Sequence, residues 1–186
     1  MTVDVPIEVT VFEAATESGY GYHYAQLDRT KPEYVLRDGN IALKPFLVKG
    51  DLDVTLSFSI NSKNPISGVK FVRTDGNPDA FYVETKNANK VCRNSSPTGF
   101  GSTGVFGQPI LSDNDTKLSV ADVQKGARST FCYALRFSVP QGNGADKIIA
   151  DDPEVNNGGG HGLIGPPKKR NAWQRFLLWL GGMSSP

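Results

Sequence analysis

Histidine, cysteine, tryptophan and methionine each occur only twice in 186 residues. The histidines are His23, in a run of alternating tyrosines, and His161, in a glycine-rich stretch. Neither has a cysteine or a second histidine at ligand spacing, so no zinc site is expected. No G-x-S-x-G elbow accompanies them, and His23 reads as a surface or edge-strand residue rather than a catalytic base. No catalytic residues, metal or cofactor are expected. Two cysteines, Cys92 and Cys132, make at most one disulfide. They read as free thiols, with Cys132 packing as a small apolar group in a strand.

Long apolar runs are also missing. The stretch Phe176–Leu180 is as long as any, and a membrane-spanning helix needs about 20 such residues. The first twenty residues hold no basic n-region and no uninterrupted apolar run. No cleaved secretory signal is expected, and the location expected is cytoplasmic, with the membrane surface as an alternative. On that reading the sequons at Asn94 and Asn114 are chance matches in polar loops. A net charge of +1 gives no reason to expect nucleic-acid binding. An apolar fraction of 38% is too high for a wholly disordered chain.

What is present is alternation. Val3, Val5, Ile7, Val9 and Val11 recur with period two, as do Tyr20, Tyr22 and Tyr24. Leu52, Val54, Leu56, Phe58 and Ile60 form a second long case, and Phe131, Tyr133, Leu135, Phe137 and Val139 a third. This is the pattern of half-buried strands. Weaker strands are expected at 34–37, 41–43, 69–73, 80–84, 118–123 and 147–150. Asp38-Gly39-Asn40 and Asp75-Gly76-Asn77-Pro78 are turn sequences, because Gly, Asn and Asp tolerate positive φ. Many short strands with frequent turns predict an all-β domain over 1–153, an antiparallel sandwich of two packed sheets.

Leu118, Val120 and Val123 precede Gly126, and the aromatic strand Phe131–Phe137 follows. This stretch resembles the E-strand, corner and F-strand of immunoglobulin-like sandwiches. The body has no tryptophan to match that family's buried one, and Cys92 and Cys132 do not match its inter-sheet pair. The resemblance implies architecture and carries no function.

Several motifs invite a chemical reading. The run Gly99–Gly107 is rich in glycine, but no Lys-Ser/Thr follows and Pro109 stands where a phosphate loop needs a helix. It reads as a loop, and Phe100 and Phe106 are its candidate ligand contacts if the domain is lectin-like or hydrolytic. Asp113-Asn114-Asp115 and Asp151-Asp152 are oxygen-rich enough for calcium, without the EF-hand pattern. Turns use the same residues. Tyr20, Tyr22 and Tyr24 could stack a sugar or base, though core packing explains them more simply.

The tail stands apart. Residues 1–154 carry sixteen basic and nineteen acidic groups, a net −3, while the rest carries four cations and no carboxylate. Residues 154–170 read as a Gly/Pro-rich linker ending in Lys168, Lys169 and Arg170. A helix is predicted over 171–181 within the tail 171–186, with Asn171 as cap and Gly181-Gly182 as stop. Trp173, Phe176, Leu177 and Leu180 follow the i, i+3, i+4, i+7 rule. Trp179 widens that face and Arg175 lies opposite. A helix of about ten residues is marginal alone in water. It is expected to form against a receiver: its own domain, a partner protein or another copy, or an anionic membrane surface. The leading expectation is a non-enzymatic interaction module that docks through this helix.

Overall fold

A computed structural model describes residues 2–31, 33–35, 39–43, 53–85, 106–122, 130–142, 144–151 and 154–156. Among these residues every regular element is a strand. In chain order they are β1 (Thr2–Glu13), β2 (Tyr20–Gln26), β3 (Ile41–Ala42), β4 (Asp53–Ile60), β5 (Lys70–Phe71), β6 (Arg73–Thr74), β7 (Asn77–Pro78), β8 (Phe81–Thr85), β9 (Ile110–Ser112), β10 (Lys117–Asp122), β11 (Thr130–Val139), β12 (Lys147–Asp151) and β13 (Glu154–Asn156). The tail helix expected over 171–181 lies outside the described residues.

The first sheet has the order β2-β1-β4-β10-β9. The second is built on β11. Strands β12 and β13 pair with it, as do β8 and β5, and β3 joins through β13. A small β6–β7 hairpin stands apart from both. The expectation of purely antiparallel sheets is corrected at two places. Strand β1 runs parallel to β4, and β13 runs parallel to β3. A parallel neighbour needs a long crossover. After β2 the chain leaves the first sheet, lays down β3 in the second, and returns as β4.

Alternation decides which face each strand buries. Val5, Ile7, Val9 and Val11 of β1 are buried, as are Val54, Leu56 and Phe58 of β4 and Leu118 and Val120 of β10. From the second sheet come Phe71, Phe81, Val83, Phe131, Tyr133, Leu135, Phe137 and Val139. The two sets form one core. Phe58 reaches across to Tyr133 and Phe81, with ring centroids 5.8 and 6.5 Å away. Tyr22 stacks on Phe137 at 5.6 Å.

Pro6 sits inside β1, where its missing N–H would normally cost a ladder bond. Its carbonyl accepts from Leu27 N, on the β2 side. The absent N–H faces the same side, just past the Ile7–Gln26 pair where β2 pairing ends. The loss therefore falls at the end of the ladder, where Leu27 N still donates to Pro6 O.

Expected turns hold where they are described. Asp75 and Gly76 have φ of 50° and 81°, and this turn closes the β6–β7 hairpin. Of the strand expected at 34–37, Val35 makes an antiparallel bridge to Ile41, and residues 36 and 37 lie outside the described residues. Beyond residue 153, where the body was expected to end, β13 pairs with β11 and β3. Backbone pairing does not depend on apolar side chains, so a change in composition does not mark its limit.

The core makes a direct prediction. Phe58→Ala removes the ring that spans the sheets and is expected to cost about 3–5 kcal/mol. Urea unfolding of wild type and variant measures this, and a loss below about 1 kcal/mol contradicts the packing described.

Candidate functional site

The outer face of the second sheet carries a compact polar cluster. Arg136 stands on β11, Tyr82 on β8 and Thr74 on β6. All three converge on Asp79, between β7 and β8. Arg136 Nη1 donates to Asp79 Oδ2 at 2.5 Å, and Thr74 Oγ1 donates to the same oxygen at 2.7 Å. Tyr82 OH donates to Asp79 Oδ1. Arg136 Nη1 also lies 2.7 Å from Tyr82 OH, and its guanidinium carbon is 5.3 Å from the ring centroid. Partial burial favours the neutral acid at Asp79. The hydrogen bonds from Tyr82, Thr74 and Arg136 together outweigh it and hold the carboxyl below its ordinary range. Burial, then the bond to Asp79, pushes the Tyr82 phenol up. A general base works best with a pKa near the operating pH. This carboxylate is instead fixed in its ionised form as a clasp between β8, β11 and the β6–β7 hairpin.

The turn from β9 to β10 holds the acidic triplet considered for calcium. Asp113, Asn114 and Asp115 all have positive φ, at 49°, 56° and 63°. Asp and Asn adopt this region more readily than other side chains. Each carboxylate faces a cation. Lys117 Nζ is 2.6 Å from Asp113. Arg73 approaches Asp115 through Nη2 at 2.7 Å and Nε at 3.3 Å. Backbone bonds fix the turn at both ends. Phe71 N donates to Asp115 O at 2.8 Å, and Ile60 N donates to Thr116 O at 2.9 Å. The turn thereby joins the two sheets.

On the opposite side, the tyrosines of β2 close the gap to β12. Tyr22 OH donates to Ala150 O at 3.0 Å, and Tyr24 OH donates to Asp151 Oδ2 at 2.7 Å. Tyr24 is buried, and burial, followed by the Asp151 charge, raises its phenol well above the ordinary value. Lys147 Nζ stands 5.0 Å from the Tyr20 ring centroid and donates to Ser18 O at 3.0 Å. A cleft lined by Thr16, Ser18, Tyr20, Tyr22, Ala150 and Asp151 lies along this seam. With Tyr22 stacked on Phe137 and Tyr24 buried, these rings serve the core rather than a stacking platform.

Phe106 corrects an expectation. It was a candidate exposed contact at the end of the glycine run, yet it is 1% exposed. Its ring meets Phe131 edge-on at 5.2 Å and Phe81 at 5.7 Å. Burying an aromatic ring is worth more than leaving it on a loop, and Gly107 N anchors the segment to Ala121 O at 2.7 Å. Phe100 lies outside the described residues. So do Lys168, Lys169, Arg170, Trp173, Arg175, Phe176, Leu177, Trp179 and Leu180. His23 is exposed on β2.

No protein-family profile, curated protein or solved structure matches this chain. Among the described residues no helix is long and apolar enough to cross a membrane.

The Asp79 clasp gives a pH prediction with a definite sign. Its folded pKa is depressed, so its stabilisation is complete above the unfolded value, near 3.9, and is lost as pH falls through the folded value. Asp79→Asn is expected to cost about 1–3 kcal/mol at pH 7, with the gap from wild type shrinking in acid below that range. Urea titrations at pH 7 and pH 3 test this. A gap that stays constant or widens in acid excludes the assignment.

Proposed function

We propose that the chain is a non-enzymatic interaction module. Its β body serves as a scaffold, and the helix predicted over 171–181 docks Trp173, Phe176, Leu177 and Leu180 on a partner protein or another copy. The observation that carries this reading is the spacing of those four residues after a Gly/Pro-rich linker. An aromatic helical face on a tether is a common docking element, and it gains free energy only when a receiver covers it. The body supports the reading in one respect. Three of its carboxylates, Asp79, Asp113 and Asp115, are each paired with a cation of the chain itself, the Asp113–Lys117 pair at the surface.

A specific feature favours one alternative, a peripheral membrane protein that uses the same helix. Lys168, Lys169 and Arg170 precede two tryptophans and Phe176, a composition suited to the surface of an anionic bilayer. The finer architecture belongs to this proposal too. We read the two facing sheets as a sandwich of immunoglobulin-like character. The strands compared with that family's E and F, β10 and β11, lie in opposite sheets, as E and F do there. The parallel β1–β4 pair departs from the all-antiparallel pattern expected.

The test is affinity capture with the intact chain and a variant lacking residues 168–186, alongside flotation with anionic and neutral vesicles. Partner or self-capture that disappears with the tail is the expected outcome. Capture that survives the deletion overturns the docking role. Binding confined to anionic vesicles, and weakening as salt screens the charge, selects the membrane alternative.

A further inference from the structure

We propose that the outer edge of β12 is a self-association surface, on which β12 of a second copy adds in antiparallel pairing centred on Ile149. The backbone carries the first argument. Successive residues of a strand present their N–H and C=O to opposite sides. Arg136 N donates to Ala80 O, and Arg136 O accepts from Val72 N, so Arg136 turns its backbone toward the β5 and β8 side of β11. Ser138, two residues on, turns the same way. Their neighbours in β12 are Ala150 and Ile148, which therefore turn their own backbone groups away from β11. Tyr22 OH bonds to Ala150 O. Among the described residues both N–H groups and the Ile148 carbonyl have no partner. Such a row of open donors and acceptors is a template for another strand. The seam cleft opens beside Ala150 and Asp151, and Ile148 is 52% exposed, so the edge is reachable.

The side chains select a second copy as the occupant. A two-fold axis at Ile149 sets Ile148 against Ala150 of the second copy, and their outward backbones exchange N–H···O bonds. The Ala150 carbonyl has a second lone pair beside its bond to Tyr22. The exposed isoleucine is covered in the process. The same register sets Lys147 against Asp151 of the second copy. Both lie on the inner face with Ile149, where Lys147 stands over Tyr20 and Asp151 accepts from Tyr24. These are non-hydrogen-bonded positions, at which facing side chains approach most closely and opposite charges stabilise a pair. Registers centred on Ile148 or Ala150 keep backbone bonds but shorten the overlap and lose the charge match. The contact is isologous, so it closes as a dimer instead of propagating. With five residues in the strand the interface is small, and the dimer is reversible.

The experiment is sedimentation velocity on the intact chain over a range of concentrations. A dimer whose share rises with concentration is expected, and a monomer throughout overturns the proposal. Ala150→Pro removes an N–H that faces away from β11 and so costs the monomer no ladder bond. It is expected to be monomeric with an unchanged urea midpoint. Ile110→Asp, on the edge of the other sheet where Ile110 is 65% exposed, is expected to dimerise as wild type does. A dimer that survives Ala150→Pro, or that Ile110→Asp abolishes, overturns the proposal. The register has its own test, which holds even where proline disturbs the strand. Lys147→Glu and Asp151→Lys are each expected to be monomeric alone and to dimerise when mixed, because only the mixed pair sets opposite charges face to face. A mixture that stays monomeric overturns the assignment. The contact is separate from tail docking: the variant lacking residues 168–186 is expected to keep the dimer, and loss of the dimer with the tail overturns the β12 contact while leaving the tail reading intact.

Discussion

Phe58 meets Tyr133 and Phe81 across the space between the sheets, and much of the structure serves to keep that layer dry. Tyrosines inside such a layer bring hydroxyls that must find partners, because an unsatisfied buried hydroxyl costs about 1–3 kcal/mol. Here the hydroxyls of Tyr22, Tyr24, Tyr34 and Tyr133 each find an acceptor. Tyr133 OH takes the carbonyl of Gly39 at 2.6 Å, and Tyr34 OH takes that of Pro6 at 2.8 Å. Tyr22 and Tyr24 take Ala150 O and an Asp151 oxygen. The aromatic layer therefore positions connections as well as filling volume. Gly39 is held beside β11, and strand β12 is drawn against β2.

The central place of β1 adds a second constraint. Its pairing with β2 is local, but its pairing with β4 closes a loop that includes β3 of the opposite sheet. Such closure costs entropy before it yields contacts. The gain comes when Val5, Ile7 and Val9 are sealed between neighbours on both sides. The far side of the first sheet is secured by polar chemistry instead. Arg73 and the Phe71 amide both engage Asp115, so the β9–β10 turn is held to the second sheet by a charged contact and a backbone bond. One side of the interface is closed by tyrosine hydroxyls, the other by a turn of acidic residues.

The long strands were legible because alternation is a local signal. Ile7 and Val9, or Leu56 and Phe58, declare a buried face without reference to any partner. Pairing direction was not legible, since period two is the same in parallel and antiparallel sheets. The short strands β7, β9 and β13 escaped notice for a related reason. Two or three residues are too few to show a period, and their strand geometry comes from β6, β10 and β11 beside them. Phe106 was misread because its neighbours are glycines, a composition typical of exposed loops. Pro109 closely followed it, but only the ring's contacts with Phe81 and Phe131 show that it is a core residue. The polar clasps were beyond sequence reading altogether. Arg136 and Asp79 are 57 positions apart, and Arg73 and Asp115 are 42 apart. No spacing rule connects residues that only the fold brings together.

These clasps bear on how the charge of the chain should be understood. A mildly acidic body could be taken for a surface awaiting a cationic ligand. Asp79, Asp113 and Asp115 already have cations, and Asp79 is held ionised by the groups around it. An external cation would have to displace a positioned arginine or lysine and then desolvate the pair it broke. Exposed pairs such as Asp113–Lys117 are weak and can yield. The Asp79 cluster, with three side-chain donors and partial burial, resists that exchange. The four cations after residue 154 have no acidic residue within their own segment. Negative charge that these cations could meet therefore lies outside their own segment, whereas Asp79, Asp113 and Asp115 of the body already have cationic partners.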